Sequence, residues 1–134
     1  MALKIFTDTN IVIDFLEQRP FELNYVNRIF ELAENNEITV FVSESVITNA
    51  LYLTELNQQI DRLLTIIGII CIDTNTFKSA MKSSFKDKED GILYYGALHQ
   101  KIDYFVTRNK KDFLKHSLQQ LPVMGAKELI NTIR

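Results

Sequence analysis

The hydrophobic positions of this chain fall into short β-branched runs separated by longer stretches with helical spacing. Residues 3–7, Leu-Lys-Ile-Phe-Thr, predict a strand. Residues 10–17 follow with Ile11, Val12, Phe15 and Leu16 on one helical face, and Arg19-Pro20 breaks that helix. Residues 21–34 predict a second helix, with Val26, Ile29, Phe30 and Ala33 in register, stopped at Asn35-Asn36. Residues 38–42 predict a strand, 45–56 and 60–67 two helices, and 69–72 a third strand. A weaker helix is expected over 76–85 and a stronger one over 88–101, leading to a strand over 104–107. A short strand over 123–124 precedes a terminal helix over 126–133. Strands divided by helices require crossover connections and so a parallel sheet. Strands that are apolar throughout suit a sheet covered on both faces. The expected fold class is α/β, a three-layer α/β/α sandwich around a central parallel β-sheet.

Composition narrows this picture. A length of 134 residues suits one domain spanning 1–134, large enough to fold without a disulfide or a structural metal. A net charge of -2 excludes nucleic-acid binding through overall positive charge; such contact would rest on a local basic patch or a bound metal. The single Cys71, within the apolar run 69–72, is expected to be a small buried hydrophobe. It excludes an internal disulfide and a thiolate zinc site, and points to a reducing, cytoplasmic compartment. No secretory signal is expected, because Asp8 interrupts the start before an apolar segment develops. The longest apolar run, 66–72, is too short to span a bilayer, so no membrane partner is expected.

In open parallel sheets, ligands sit beyond the carboxyl ends of the strands, near the point where strand order reverses. Three acids are placed there by topology. Asp8 ends the first strand. Asp90 opens the helix that leads into the fourth strand, and Asp112 follows that strand. Each alone also reads as a helix-capping or dipole-matching residue, Asp90 with Asp87 and Asp112 with Asn109. Together they would repel one another, a cost that a divalent cation removes. All-oxygen ligands favour Mg²⁺ or Mn²⁺. Such an ion can activate water for attack on a phosphodiester. His99 and His116 are isolated and expected at the surface, and the four glycines form no phosphate loop. Arg108, Lys110, Lys111 and Lys115 cluster near the same edge, as a solvated face or as contacts to RNA phosphates. Tyr94 and Tyr95 are expected in the core or an interface, with base stacking as the alternative.

These residues carry a family resemblance. Residues 5–14, Ile-Phe-Thr-Asp-Thr-Asn-Ile-Val-Ile-Asp, resemble the first motif of PIN domains. Residues 88–97, around Asp90, resemble their central acidic motif. Residues 103–113, with Thr107, Asn109, Asp112 and Phe113, resemble their last. The resemblance implies a Mg²⁺- or Mn²⁺-dependent endoribonuclease in which Asp8, Asp90 and Asp112 bind the metal, supported by Asn10, Thr107 and Asn109. It also implies RNA as substrate, and a VapC-type toxin with an antitoxin protein and a homodimer as partners, the dimer surface including Ile47, Leu51 and Leu53. One position departs: Asn49 stands where members often carry a Glu, with Glu44 nearby, ahead of the expected helix, and Glu89 a possible compensation about 100° round the helix from Asp90. The alternative is therefore a catalytically weakened module that binds RNA or a partner. A haloacid-dehalogenase-like phosphatase, which also begins strand-Asp-x-Asp, is disfavoured because Asn10 replaces its second acid.

Overall fold

The computed structural model describes residues 2–55 and 58–133. Its elements are β1 (Leu3–Thr7), α1 (Thr9–Glu17), α2 (Leu23–Glu34), β2 (Ile38–Ser43), α3 (Glu44–Leu53), α4 (Gln58–Ile66), β3 (Ile67–Ile70), α5 (Thr74–Lys82), α6 (Lys88–His99), β4 (Tyr104–Val106), α7 (Lys110–Leu114), β5 (Val123–Met124) and α8 (Ala126–Ile133). The strands form one sheet in the order β3-β2-β1-β4-β5, every neighbouring pair parallel. Right-handed crossovers stepping outward from β1 to β3 put α1–α4 on one face. The return across the sheet to β4 and then β5 puts α5–α7 on the other. The packing agrees: α1 lies against α2, α3 and α4, α2 against α8, and α5 against α6. The expected α/β/α sandwich is what forms.

The central strands are buried because both faces are covered. Phe6 and Phe105 are register partners on β1 and β4, both fully buried and stacked with ring centroids 5.0 Å apart. Burying each such side chain stabilises the fold by about 1.5–3 kcal/mol. Tyr94, on α6, is also wholly buried, which places it in the core. Its hydroxyl donates to Leu121 O at 2.7 Å and accepts from Leu118 N at 2.7 Å, fastening the segment before β5 to α6. Tyr94→Phe should therefore strand a buried carbonyl and an amide. We expect a loss of about 1–3 kcal/mol, read as a lower urea midpoint at unchanged m.

Boundaries moved where the chain lacked punctuation. The second helix starts at Leu23 rather than residue 21, because Glu22 takes a left-handed turn at φ 49°. The third strand is Ile67–Ile70, not 69–72. The run 66–72 is apolar throughout, and pairing with β2 (Val40 to Ile67) sets the register instead. Cys71 thus falls beyond the strand and is exposed, correcting the expectation of burial. Helix α3 starts at Glu44, one residue earlier than expected, because Ser43 Oγ caps it by accepting from Val46 N. It ends at Leu53, and residue 56, its expected end, lies outside the described residues. Ile47 belongs to the core, so of the three apolar residues assigned to a dimer surface only Leu53 is well exposed. The short α7 was not expected at all.

Candidate metal centre

Strand order reverses between β1 and β4, and Asp8 and Thr107 leave the sheet side by side at that switch point. The Asp8 amide continues the pairing by donating to Val106 O at 3.1 Å. The residue is 8% exposed. One oxygen, Oδ1, accepts from Thr9 N at 2.7 Å and so caps α1. The other accepts from Thr107 Oγ1 at 2.9 Å. The cap reading of Asp8 therefore holds, and its second oxygen ties the end of β1 to Thr107. Burial pushes its pKa up, the bonds from Thr9 and Thr107 pull it back, and the charge of Glu89 adds to the rise.

A hydrogen-bonded chain runs on from there. The fully buried Thr107 hydroxyl accepts from Asn109 N at 3.0 Å. Asn109 Nδ2 then donates to Asp112 Oδ2 at 2.7 Å. Thr107 and Asn109 thus join Asp8 to Asp112 across a three-residue loop.

Asp90 arrives from the opposite layer. The cap of α6 is Asp87, whose Oδ1 accepts from Glu89 N at 3.0 Å and Asp90 N at 3.4 Å. The Asp90 carboxylate is thereby freed from capping, and it has no hydrogen-bond partner among the described residues. The first turn of α6 sits close on Phe85: a methyl group at Gly91 would lie 3.2 Å from Phe85 Cβ. Burial, then the charges of Asp87, Asp8, Asp112 and Glu89, push the Asp90 pKa up to about 7. Five acids therefore share one electrostatic neighbourhood. Among the described residues no Lys or Arg pairs with any of them.

That uncompensated charge, presented by oxygen donors alone, fits a hard divalent cation. In the present side-chain positions, no three His, Cys, Asp or Glu among the described residues are drawn together tightly enough to grip one. Loading would require the exposed Asp112 and half-buried Asp90 side chains to close on Asp8.

The remaining predicted residues are distributed around this centre. Asn10 is exposed in the first turn of α1 and joins none of these bonds. Asn49 is half-buried and lines a cleft of about 500 Å³ between α3 and α6. Glu44, Ser45, Thr48, Ile72, Phe77, Glu89, Ile92 and Leu93 complete its walls. Glu44 is the first residue of α3 rather than ahead of it, and shares this cleft. Glu89 connects cleft and centre, since its charge acts on both Asp8 and Asp90. Arg108 is turned away: its Nη1 bonds Asp14 Oδ1 at 3.0 Å and its guanidinium lies 4.5 Å over the Phe21 ring. Lys110 is bonded to Glu128. Lys111 is exposed, with no ion-pair partner among the described residues. His99 is exposed and bonded to Thr76. His116 is half-buried against Phe85 and bonded to Ser84 at 2.6 Å, not a free surface residue. Sequence reasoning missed the pairing of Asp14. The signal was there, as a carboxylate within the apolar run 11–16 must find a partner when buried.

Comparison with known proteins gives the family. The model of the PIN domain matches residues 4–111, and the chain belongs to the PIN-domain family, whose members are in general nucleases that use divalent metal. Among solved structures it resembles a chain in the crystal structure of VapBC2 from Rickettsia felis bound to a DNA fragment from their promoter. The TM-score is 0.65 at 17% identity, covering 92% of this chain and 98% of that one. No curated protein matched. Among the described residues no helix is long and apolar enough to cross a membrane.

Proposed function

We propose that this chain is a divalent-metal-dependent endoribonuclease, acting as one domain over residues 1–134. Asp8, Asp90 and Asp112 would hold Mg²⁺ or Mn²⁺. The observation that carries this reading is the group of five acids at the sheet's switch point, with which no Lys or Arg among the described residues forms an ion pair. A bound ion would supply an activated water and charge neutralisation at phosphorus. The protein's own residues do the rest. Thr9 N and Thr107 Oγ1 fix the Asp8 carboxylate, and Asn109 holds Asp112. Lys111 offers a phosphate contact, and Lys110 another once it leaves Glu128, because an exposed ion pair is worth little. Arg108 is spent on Asp14 and serves RNA less readily. The α3–α6 cleft gives the strand a seat: among its lining residues, Ile72, Phe77 and Ile92 offer apolar contact for a base, and Thr48 and Asn49 polar groups.

The likeness to a VapBC2 chain supports a toxin role with an antitoxin partner, and a single cysteine suits a reducing, cytoplasmic setting. Exposed Tyr52 and Leu53 at the end of α3, with Leu64 on α4, offer apolar surface for that partner or for a second copy. The uncharged Asn49 in the cleft favours a second reading, a weakened module that binds RNA without turnover. Purified protein with Mn²⁺ should cleave single-stranded RNA and lose that activity to EDTA. Binding without cleavage, with cleavage gained in Asn49→Glu, would establish the second reading. Neither binding nor cleavage in either protein would defeat both.

A further inference from the structure

Asp14 is 0% exposed on α1, where its neighbours Ile11, Val12, Ile13, Phe15 and Leu16 are buried all round the helix. One carboxylate oxygen takes the Arg108 bond, and the other has no hydrogen-bond partner among the described residues. Burying such a pair is costly, and it is weak evidence for stability. Its position suggests what it does instead. Arg108 stands between Thr107 and Asn109, the residues that link Asp8 to Asp112. Asp8 caps the start of α1, and Asp14 lies six residues along the same helix, an axial rise of about 9 Å. One loop is therefore tied to one helix at two points, Thr107 to Asp8 and Arg108 to Asp14. Two ties that far apart set the loop's tilt as well as its place. Phe21, just beyond α1, closes over the guanidinium and limits its swing.

We propose that Asp14 and Arg108 are positioning residues: their ion pair holds the 107–112 segment beside α1, so that Thr107 stays bonded to Asp8 and Asp112 stays within reach of the closure on Asp8 that metal loading requires. The proposal rests on the metal-centre reading above. It assigns Arg108 to the scaffold of the site rather than to RNA.

The test uses the full chain, with Mn²⁺ as the probe. Free Mn²⁺ is followed by electron paramagnetic resonance, folding by thermal melting, and residues 107–112 by amide hydrogen exchange. In the double variant Asp14→Leu, Arg108→Met, apolar groups replace the pair, a change that often leaves stability equal or higher. We expect it to melt near the wild-type temperature, to bind Mn²⁺ about tenfold more weakly, and to exchange faster over 107–112. Arg108→Lys keeps the charge but not the planar fork and should fall between the two. Unchanged Mn²⁺ affinity with weaker RNA binding would overturn the proposal and make Arg108 a phosphate contact. If the double variant does not fold, wild-type Mn²⁺ affinity in Arg108→Lys overturns it equally. If the wild type binds no Mn²⁺, the metal reading fails by itself, and hydrogen exchange still decides whether the pair orders the loop.

Discussion

Replacing Asp8 by asparagine is expected to lower Mn²⁺-dependent cleavage of single-stranded RNA on the order of 10³-fold, with the fold intact. Asp8 is the one acid of the five that is both buried and held from two directions, by Thr9 N and Thr107 Oγ1. Asparagine has nearly the same shape and keeps a carbonyl oxygen for the α1 cap. It removes the negative charge and one metal-ligating oxygen, and its amide nitrogen turns the bond with Thr107 Oγ1 round, the hydroxyl now accepting. A metal ligated at this position contributes several kcal/mol to a phosphodiester transition state, and each 1.36 kcal/mol is tenfold in rate. Stability should move the other way. Burial raises the Asp8 pKa, so the metal-free protein bears a cost for ionising that asparagine does not. The melting temperature without metal should hold or rise while activity collapses. An Asp8→Asn protein that cleaves at the wild-type rate would remove Asp8 from the metal centre.

How far the sequence alone reached depended on punctuation. Strand β1, Asp8 and α1 were legible because an apolar strand ends abruptly in Asp-Thr-Asn and a helical face follows at once. Asp90 and Asp112 were legible through topology, since a parallel sheet forces the start of α6 and the exit of β4 to one edge. The third strand slipped by two residues because the run 66–72 offers no polar residue to mark its ends. Two features needed three dimensions. The cap of α6 falls to Asp87, which frees Asp90, and the first turn brings Glu89 near Asp8. Spacing along a helix gives an angle between Glu89 and Asp90 but says nothing about what faces each. Arg108 read as a cation beside other cations, and only its partner on α1, 94 residues away in sequence, shows that its charge is already used.

The remaining large effect is one of pH. The Asp90 carboxyl, pressed by burial and by Asp87, Asp8, Asp112 and Glu89, holds its proton up to about pH 7 in the metal-free protein. In the unfolded chain it would release that proton near 3.8. Between those values the folded state binds more protons than the unfolded one, so stability falls as pH rises. The contribution is complete below about pH 4 and is lost as pH passes 7. Melting in EDTA should therefore drop from pH 5 to pH 8, and Asp90→Asn should flatten the profile and melt higher at pH 8. Mn²⁺ reverses the preference, because it needs the ionised carboxylate. Its affinity should climb about tenfold per pH unit below 7, one proton leaving for each ion bound, and level off above. Mn²⁺ should accordingly raise the melting temperature most at pH 8, where the carboxylates repel one another unrelieved, and least at pH 5. A profile for Mn²⁺ binding that stays flat from pH 5 to pH 8 would mean that Asp90 is not a ligand, and that the ion, if bound, sits among other acids of the group.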